Sequence, residues 1–509
     1  MASEFLPPNE AEGAKTFPPA SAAVPSGAPT SGSASAHDQE FRRRGRRLCT
    51  FVILAVAALM VFYALTTDIE DPLHLYQAML IIVLATLPGI LWAKGGGIRL
   101  PVFEVYALMP FNTYALPLLN GHNLLQTYPP EVVTTAAWTV LLFQVLLFIT
   151  FIAVRGRPSR SRFLTEEIIN QKVSRFIGYG LNLTTIYAFV STFTDWIPYE
   201  YISIARALFS GLGLVCVFVE TQRWGRGEIH PREFANLIIN LFLQIVLHLS
   251  TLFLVDGLSL LVLALVGYVS GSRRLPVIPI LAILAITAVL HNGKSAMRDR
   301  YWDIAGNDLQ PTFTELPAFF SEWFQEGLQT DSLKTKTATE SDSKLTSKLF
   351  DRTSLLHILC LVVHDTPDRR PFLDGETYKD IPGQFIPRFF WPEKPRGHVS
   401  TYRLAVHFGL QNEEDTIRTT IGFGMLSEAY ANFGTFGVVL LAIVLGAFYK
   451  KVQTSTAESP LLSFGGLFLI ILMAWSFQTE FTLSIWLGSM FQACVAAIGV
   501  PFAVRRIFG

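Results

Sequence analysis

Long apolar runs separated by short polar connections dominate this chain. Near 48–65, 73–93, 100–119, 133–154, 176–194, 201–220, 234–254, 257–271, 275–291, 422–449, 461–478 and 483–503 the sequence stays apolar for 15 to 28 residues. A bilayer crossing needs roughly 20 apolar residues at about 1.5 Å of rise each. The pattern predicts an all-α polytopic membrane protein with about 12 transmembrane helices. Residues 1–40 are rich in Pro, Ala, Ser and Gly without apolar periodicity, which predicts a disordered cytoplasmic tail and a fold beginning near Phe41. The first run lies too far along the chain for a signal peptide and reads as an uncleaved span. One connection stands apart: about 130 residues, Asn292 to Thr420, separate the ninth and tenth runs. The chain therefore divides into the tail, helices 1–9 (41–291), a large loop (292–420) and helices 10–12 (421–509). Inside the loop, Gln329 to Lys348 is Ser/Thr/Lys/Asp-rich and predicts a mobile stretch, Leu349 to His364 an apolar helix, and Pro367 to Pro395 an extended, Pro-punctuated segment.

Charge adds a direction. The arginines Arg42, Arg43, Arg44, Arg46 and Arg47 precede the first run, and the cations of the later short connections all fall in alternate loops, giving 22 on one side. The intervening short loops, such as Thr66 to Pro72 and Asp195 to Glu200, carry no Lys or Arg. The positive-inside rule then places both termini in the cytoplasm and the large loop outside. Composition narrows the class: 51% of residues are apolar, 16% are charged, and mean hydropathy is +0.40, which is not the make-up of a soluble enzyme. Forty basic and forty acidic residues cancel, so a basic surface for nucleic acid has no support. Cys49, Cys216, Cys360 and Cys494 are too dispersed for a zinc site or a disulfide framework, and no metal or cofactor is expected.

The candidate chemistry is cationic. The large loop opens with HNGKSAMRDRYW (His291 to Trp302), setting Lys294 and Arg298 at i, i+4 with Arg300 nearby. It later contains IPGQFIPRFFWPEKPRGHVSTYR (Ile381 to Arg403), where Arg388, Lys394, Arg396 and Arg403 face only Glu393. Cations among aromatics and prolines suit a rigid anion-binding loop, because guanidinium forks bind phosphate bidentately and ammonium adds a point charge. The competing reading is juxtamembrane solvation or snorkelling. Arg352, Trp391 and Tyr430 complete the candidate substrate-binding set. Within the apolar runs, Arg206 either snorkels outward or faces a phosphate. Asn236, Asn240, Gln244 and His248 form a polar stripe that is either interhelical glue or a binding face. Glu428, in SEAYANFG (Ser427 to Gly434), either orients a substrate hydroxyl or pairs with an arginine. Candidate bases are His291, His357, His364, His398, His407, Asp299 and Glu428; His357 and His364, seven apart, also fit a buried structural role. Pro101, Pro110 and Pro117 predict a kink in the third span beside a cavity.

No Walker A, GxSxG, HExxH or dinucleotide fingerprint occurs in a usable context. Two classes remain: an integral-membrane transferase acting on a lipid-linked substrate at the outer face, and a secondary transporter or flippase. Transporters gather charge near the bilayer midplane, whereas these cations gather in one outer loop, which favours the transferase.

The dozen spans, the late outer loop with its GKS-x-x-R opening and IPRFFWPEKP segment, and the following SEAYANFG together resemble the oligosaccharide repeat-unit polymerases of O-antigen and exopolysaccharide assembly. The specific part of that resemblance covers 291–302 and 381–434. The Arg-x10-Gly pattern of some of these polymerases is not found in the outer loop. The resemblance implies a fold like the C-type glycosyltransferases and a metal-independent transfer of glycan from a polyprenyl diphosphate carrier to a sugar hydroxyl on another carrier-linked unit. The role of no single arginine carries over from it; the residues themselves give Arg298, Arg388, Lys394 and Glu428 as the candidate catalytic groups. The resemblance also implies work beside a flippase and a chain-length regulator. A ligase moving finished glycan to a lipid acceptor, as in O-antigen attachment, would need nearly the same residues.

Overall fold

The computed structural model describes residues 31–66, 71–95, 99–120, 124–159, 171–194, 199–252, 254–272, 276–301, 311–334, 354–386, 397–413, 420–460 and 463–499, with isolated positions between them. All the regular elements among them are helices. The first are α1 (Ser31–Thr66), α2 (Pro72–Lys94), α3 (Val102–Pro110), α4 (Leu116–Leu119) and α5 (Pro130–Ala153). Next come α6 (Gln171–Phe193), α7 (Tyr199–Arg226), α8 (Pro231–Ser250), α9 (Leu254–Ser272), α10 (Val277–Tyr301) and α11 (Leu316–Lys334). The remainder are α12 (Leu356–Asp365), α13 (Ile381–Gln384), α14 (Val399–His407), α15 (Gly424–Ser455), α16 (Phe464–Ser476) and α17 (Leu483–Cys494). Among the described residues, six helical stretches are long and apolar enough to cross a membrane: Gly45–Thr66, Pro72–Lys94, Pro130–Ala153, Pro231–Ser250, Val277–Lys294 and Gly424–Ser455. Large apolar side chains lie bare along them, including Ile278, Leu281 and Leu284 on α10 and Phe436, Leu440 and Val444 on α15. This is an all-α membrane protein, its exposed apolar faces suited to lipid.

Local chemistry sets the ends. Asp71 caps α2 by accepting from the Leu73 N–H at 2.9 Å, with Pro72 in the first turn. Glu233 reaches back to the His230 N–H at 3.2 Å to start α8. α3 gives way after Pro110 to a π turn, Phe111–Ala115, which ends at α4. The prolines thus produce the expected irregular helix, and a small cavity of about 40 Å³ adjoins it, lined in part by Pro110, Thr113, Tyr114 and Gln478.

Three departures from the sequence expectation matter. α1 starts at Ser31 and not near Phe41, while residues 1–30 lie outside the described residues. α11 continues to Lys334, into the stretch expected to be mobile, and 335–353 lie outside the described residues. The tenth apolar run is not one straight helix. α15 breaks at Phe433 and at Gly434, which has φ +58° and ψ −146°, a conformation that strongly favours glycine. The arm after the break, 435–455, spans about 31 Å at 1.5 Å per residue, one hydrocarbon thickness.

α11 folds back on α10 as a helical hairpin around Trp323, which is fully buried and donates its indole N–H to the Leu290 carbonyl at 2.7 Å. Phe319, Met297 and Leu290 close the cluster. Trp323→Ala is expected to lower stability by about 3–5 kcal/mol through lost burial and the cavity left behind. Phe324→Ala, at the next and exposed position, should change it by no more than about 0.5 kcal/mol. Thermal midpoints of the two purified variants would check the contrast, and equal midpoints would show that the hairpin does not depend on this side chain.

Candidate functional site

The segment 354–413 is inserted into one end of the bundle. Its helix α12 is apolar, with Leu356, Leu359, Cys360 and Val362 fully buried. At one end the Leu355 N–H donates to the Thr113 carbonyl of the π turn at 3.0 Å. At the other, the His364 ring meets Tyr128 edge-on at 5.7 Å, just ahead of α5. α12 therefore runs antiparallel to α5 and alongside the first arm of α15, where Leu355 approaches Gly424 and Val362 shares a cluster with Ala431.

A buried polar seam joins this segment to α15 and α17. Glu428 is fully buried, and its Oε2 accepts from the Leu483 N–H at 2.6 Å, capping α17 from another helix. Asn432 bonds outward from the break in α15: its Nδ2 donates to Thr377 Oγ1 at 2.8 Å and its Oδ1 accepts from the Gly375 N–H at 3.0 Å. The Leu373 and Asp374 N–H groups donate to the Ala431 and Asn432 carbonyls at 3.0 and 3.2 Å, so the loop satisfies backbone groups that the broken helix leaves unpaired. Ser400 and Thr482 share a hydrogen bond at 2.8 Å. Burial, with the Glu428 carboxylate next to it, pushes the Tyr378 phenol pKa upward.

Beside this seam lies the described part of the cationic loop. Phe385 meets Phe491 of α17 edge-on at 5.1 Å, and Gln384 packs over Gly488. Lys394 Nζ donates to the Ile386 and Gly383 carbonyls at 2.8 and 3.4 Å, and the half-exposed Trp391 ring covers Gly383. Glu428 thus sits at the start of α17, while Lys394 and Trp391 lie on the 383–386 turn that packs farther along α17, at Gly488 and Phe491. Tyr430, on the same arm as Glu428, is half-buried between two apolar clusters.

Other expected site residues are otherwise engaged. Arg300 is ion-paired to Glu322, and its Nη2 lies 3.0 Å from Glu326 Oε1, so it holds the α10–α11 hairpin and is no open phosphate ligand. Arg403 Nη1 lies 2.7 Å from Asp380 Oδ2 and donates to the Glu376 carbonyl at 2.7 Å, bracing the loop. Among the described residues Glu428 pairs with no arginine, and it is fully buried. Lys294 is 9% exposed on α10. The polar stripe is interhelical glue: Asn240 Nδ2 donates to Asn182 Oδ1 at 2.8 Å, and Gln244 Nε2 to Thr184 and Thr185 hydroxyls at 3.0 and 2.9 Å. His248 ends that stripe in the last turn of α8. Arg352, Arg388 and Arg396 lie outside the described residues, as do the side chains of Arg206, Arg298 and Asp299.

A second cluster, at the far end of α12, was not assembled by sequence reasoning. Asp365 Oδ1 lies 3.1 Å from His364 Nδ1 and 3.6 Å from Arg369 Nη1, while its Oδ2 lies 3.5 Å from Arg370 Nε. Arg370 also donates to the His407 carbonyl. The His407 ring donates from Nε2 to the Pro371 carbonyl at 3.1 Å, and burial, with Arg370 nearby, depresses its pKa. Burial raises the Tyr128 phenol to about 12, with Cys360 and Asp365 adding to the shift. The string HDTPDRR was the available signal, yet His364 read more readily as one face of a buried helix.

A family model described as a domain of unknown function, DUF8712, matches residues 257–502. That stretch, just under half of the chain, begins in α9 and contains both the polar seam and the Asp365 cluster. The chain matches no curated protein and no solved structure.

Proposed function

We propose that this membrane protein is a glycosyltransferase of the repeat-unit polymerase type. It moves a growing glycan from a polyprenyl diphosphate carrier to a sugar hydroxyl on another carrier-linked unit, at the outer face of a bacterial cytoplasmic membrane. In this reading the chain crosses the membrane about twelve times, both termini are cytoplasmic, and 292–420 lies outside. The observation that carries it is the insertion of 354–413 into an apolar bundle through the Glu428–Asn432–Thr377 seam. That insertion holds Gln384 and Phe385, which lead into the stretch rich in Arg, Lys, Trp and Phe, against α17. A lipid-linked glycan places its diphosphate at such a boundary, with the isoprenoid in the apolar phase and the sugar in water. Fixed cations there favour departure of the diphosphate. Deleting the gene in its own host should remove long polymer and accumulate single lipid-linked repeat units, and the wild-type gene should restore the glycan ladder. An unchanged ladder in the deletion strain would sink the proposal.

The broken α15 and the inserted α12 favour one second reading. Discontinuous helices are how secondary transporters build their binding sites. If the chain is a transporter, purified protein in vesicles will move lipid-linked units across the bilayer without lengthening them.

A further inference from the structure

The transfer needs a base for the incoming sugar hydroxyl, because a neutral alcohol is a poor nucleophile. We propose that His364 is that base, oriented by Asp365 and flanked by Arg369. The inference rests on the glycan-transfer reading above and adds the residue that removes the proton.

The geometry begins with the end of α12. The helix stops at Asp365, and the following turn brings the Arg369 and Arg370 N–H groups back to the Asp365 carbonyl at 2.9 and 2.8 Å. Both arginine side chains then lie on the Asp365 carboxylate, at 3.6 and 3.5 Å, together with His364 Nδ1 at 3.1 Å. Nδ1 meets two opposite partners: protonated, it donates to the Asp365 carboxylate at 3.1 Å and leaves the lone pair on Nε2; unprotonated, it accepts from Arg369 Nη1 at 3.3 Å. The shorter contact favours the first tautomer. Among the described residues Nε2 has no hydrogen-bond partner. The side chain is 21% exposed, enough to be reached, whereas Asp365 is 12% exposed and acts through the ring. Arg369 Nη1 is 3.3 Å from Nδ1 and would oppose an imidazolium by itself. The carboxylate touching both offsets that repulsion and lets the ring accept a proton.

The other candidates are less fit. Glu428 is fully buried and its Oε2 is occupied by the Leu483 N–H. His407 has its Nε2 on the Pro371 carbonyl, and Arg370 with burial disfavours its charged form. His74 stands 3.9 Å from Asp71, but its Nε2 also meets Thr134 Oγ1 at 3.0 Å, at the start of α2.

In the step itself, His364 Nε2 takes the hydroxyl proton as the acceptor oxygen forms its bond to the anomeric carbon. The bond from that carbon to the carrier's terminal phosphate oxygen breaks, and the diphosphate leaves with the electron pair. The imidazolium then returns its proton to water. Arg369, 63% exposed, is placed to meet an anionic group of either substrate.

The test uses the full-length protein in proteoliposomes with the lipid-linked repeat units that accumulate in the deletion strain. Turnover is measured per folded molecule, and the wild type must first lengthen these units; if it does not, the polymerase reading itself fails. His364→Gln should bond Asp365 yet lose turnover by about 100- to 10,000-fold, the usual contribution of general base catalysis. Added imidazole should restore part of the turnover of His364→Ala, which a purely structural defect would not allow. His407→Gln, which keeps a donor for the Pro371 carbonyl, should stay close to wild type. Near wild-type turnover of His364→Gln, or no rescue of His364→Ala by imidazole, would overturn the assignment while leaving the polymerase reading intact.

Discussion

Replacing Arg298 or Arg388 with alanine is expected to abolish long polymer while the protein still reaches the membrane. A carrier diphosphate brings about two negative charges to the membrane surface, and a lone exposed cation there is too strongly screened to hold it. Several donors must converge. The structure narrows the choice, because Arg300 and Arg403 already face the carboxylates of Glu322, Glu326 and Asp380. Arg298 stands one turn beyond Lys294 on α10, and Arg388 comes three positions after Phe385, which packs on α17. Loss of one transition-state donor in a water-poor site costs about 3–4 kcal/mol, or roughly 100- to 1000-fold in rate. Lysine should rescue either position poorly, since the bidentate fork is lost. Glycan ladders from cells expressing each variant at matched level decide the matter. Wild-type ladders from both alanine variants would reduce these arginines to surface solvation.

The helical class was legible because apolar run length is a one-dimensional property: all twelve runs coincide at least in part with helices of the structure. The kink after Pro110 was legible for the same reason, proline being a local signal. What the sequence hid depends on contacts between distant positions. Glu428 reads as a charge at the mouth of a span, and nothing near it in sequence reveals that its partner is a backbone N–H 55 residues later. The break in α15 turns on Gly434, one glycine among 36. Arg300 looked available because Glu322 and Glu326 lie beyond a turn whose closure no periodicity predicts. His364 reads as a base and, more readily, as a core residue, and nothing local in the sequence shows that Arg369 and Arg370 fold back onto Asp365 beside it.

Gly437→Val should produce the largest loss of folded protein among changes near the seam. After the break, α15 folds back so closely that a Cβ built on Gly437 would stand 2.2 Å from the Ala429 carbonyl oxygen and 3.2 Å from Phe433 Cβ. The first obstacle is backbone and cannot rotate away, so the two arms must part. Parting them shifts Glu428 from the Leu483 N–H and Asn432 from Thr377 and Gly375, and each buried polar group left unpaired costs about 1–3 kcal/mol. Overpacking adds about 1–3 kcal/mol more. The comparison is Leu440→Val, on the exposed face of the same arm, which should be nearly neutral. Size-exclusion profiles of fluorescent-protein fusions, taken at equal transcript, would show aggregated or absent Gly437→Val beside monodisperse Leu440→Val. A monodisperse, wild-type profile for Gly437→Val would mean that the arms do not cross at this glycine, and that the seam is held by some other contact.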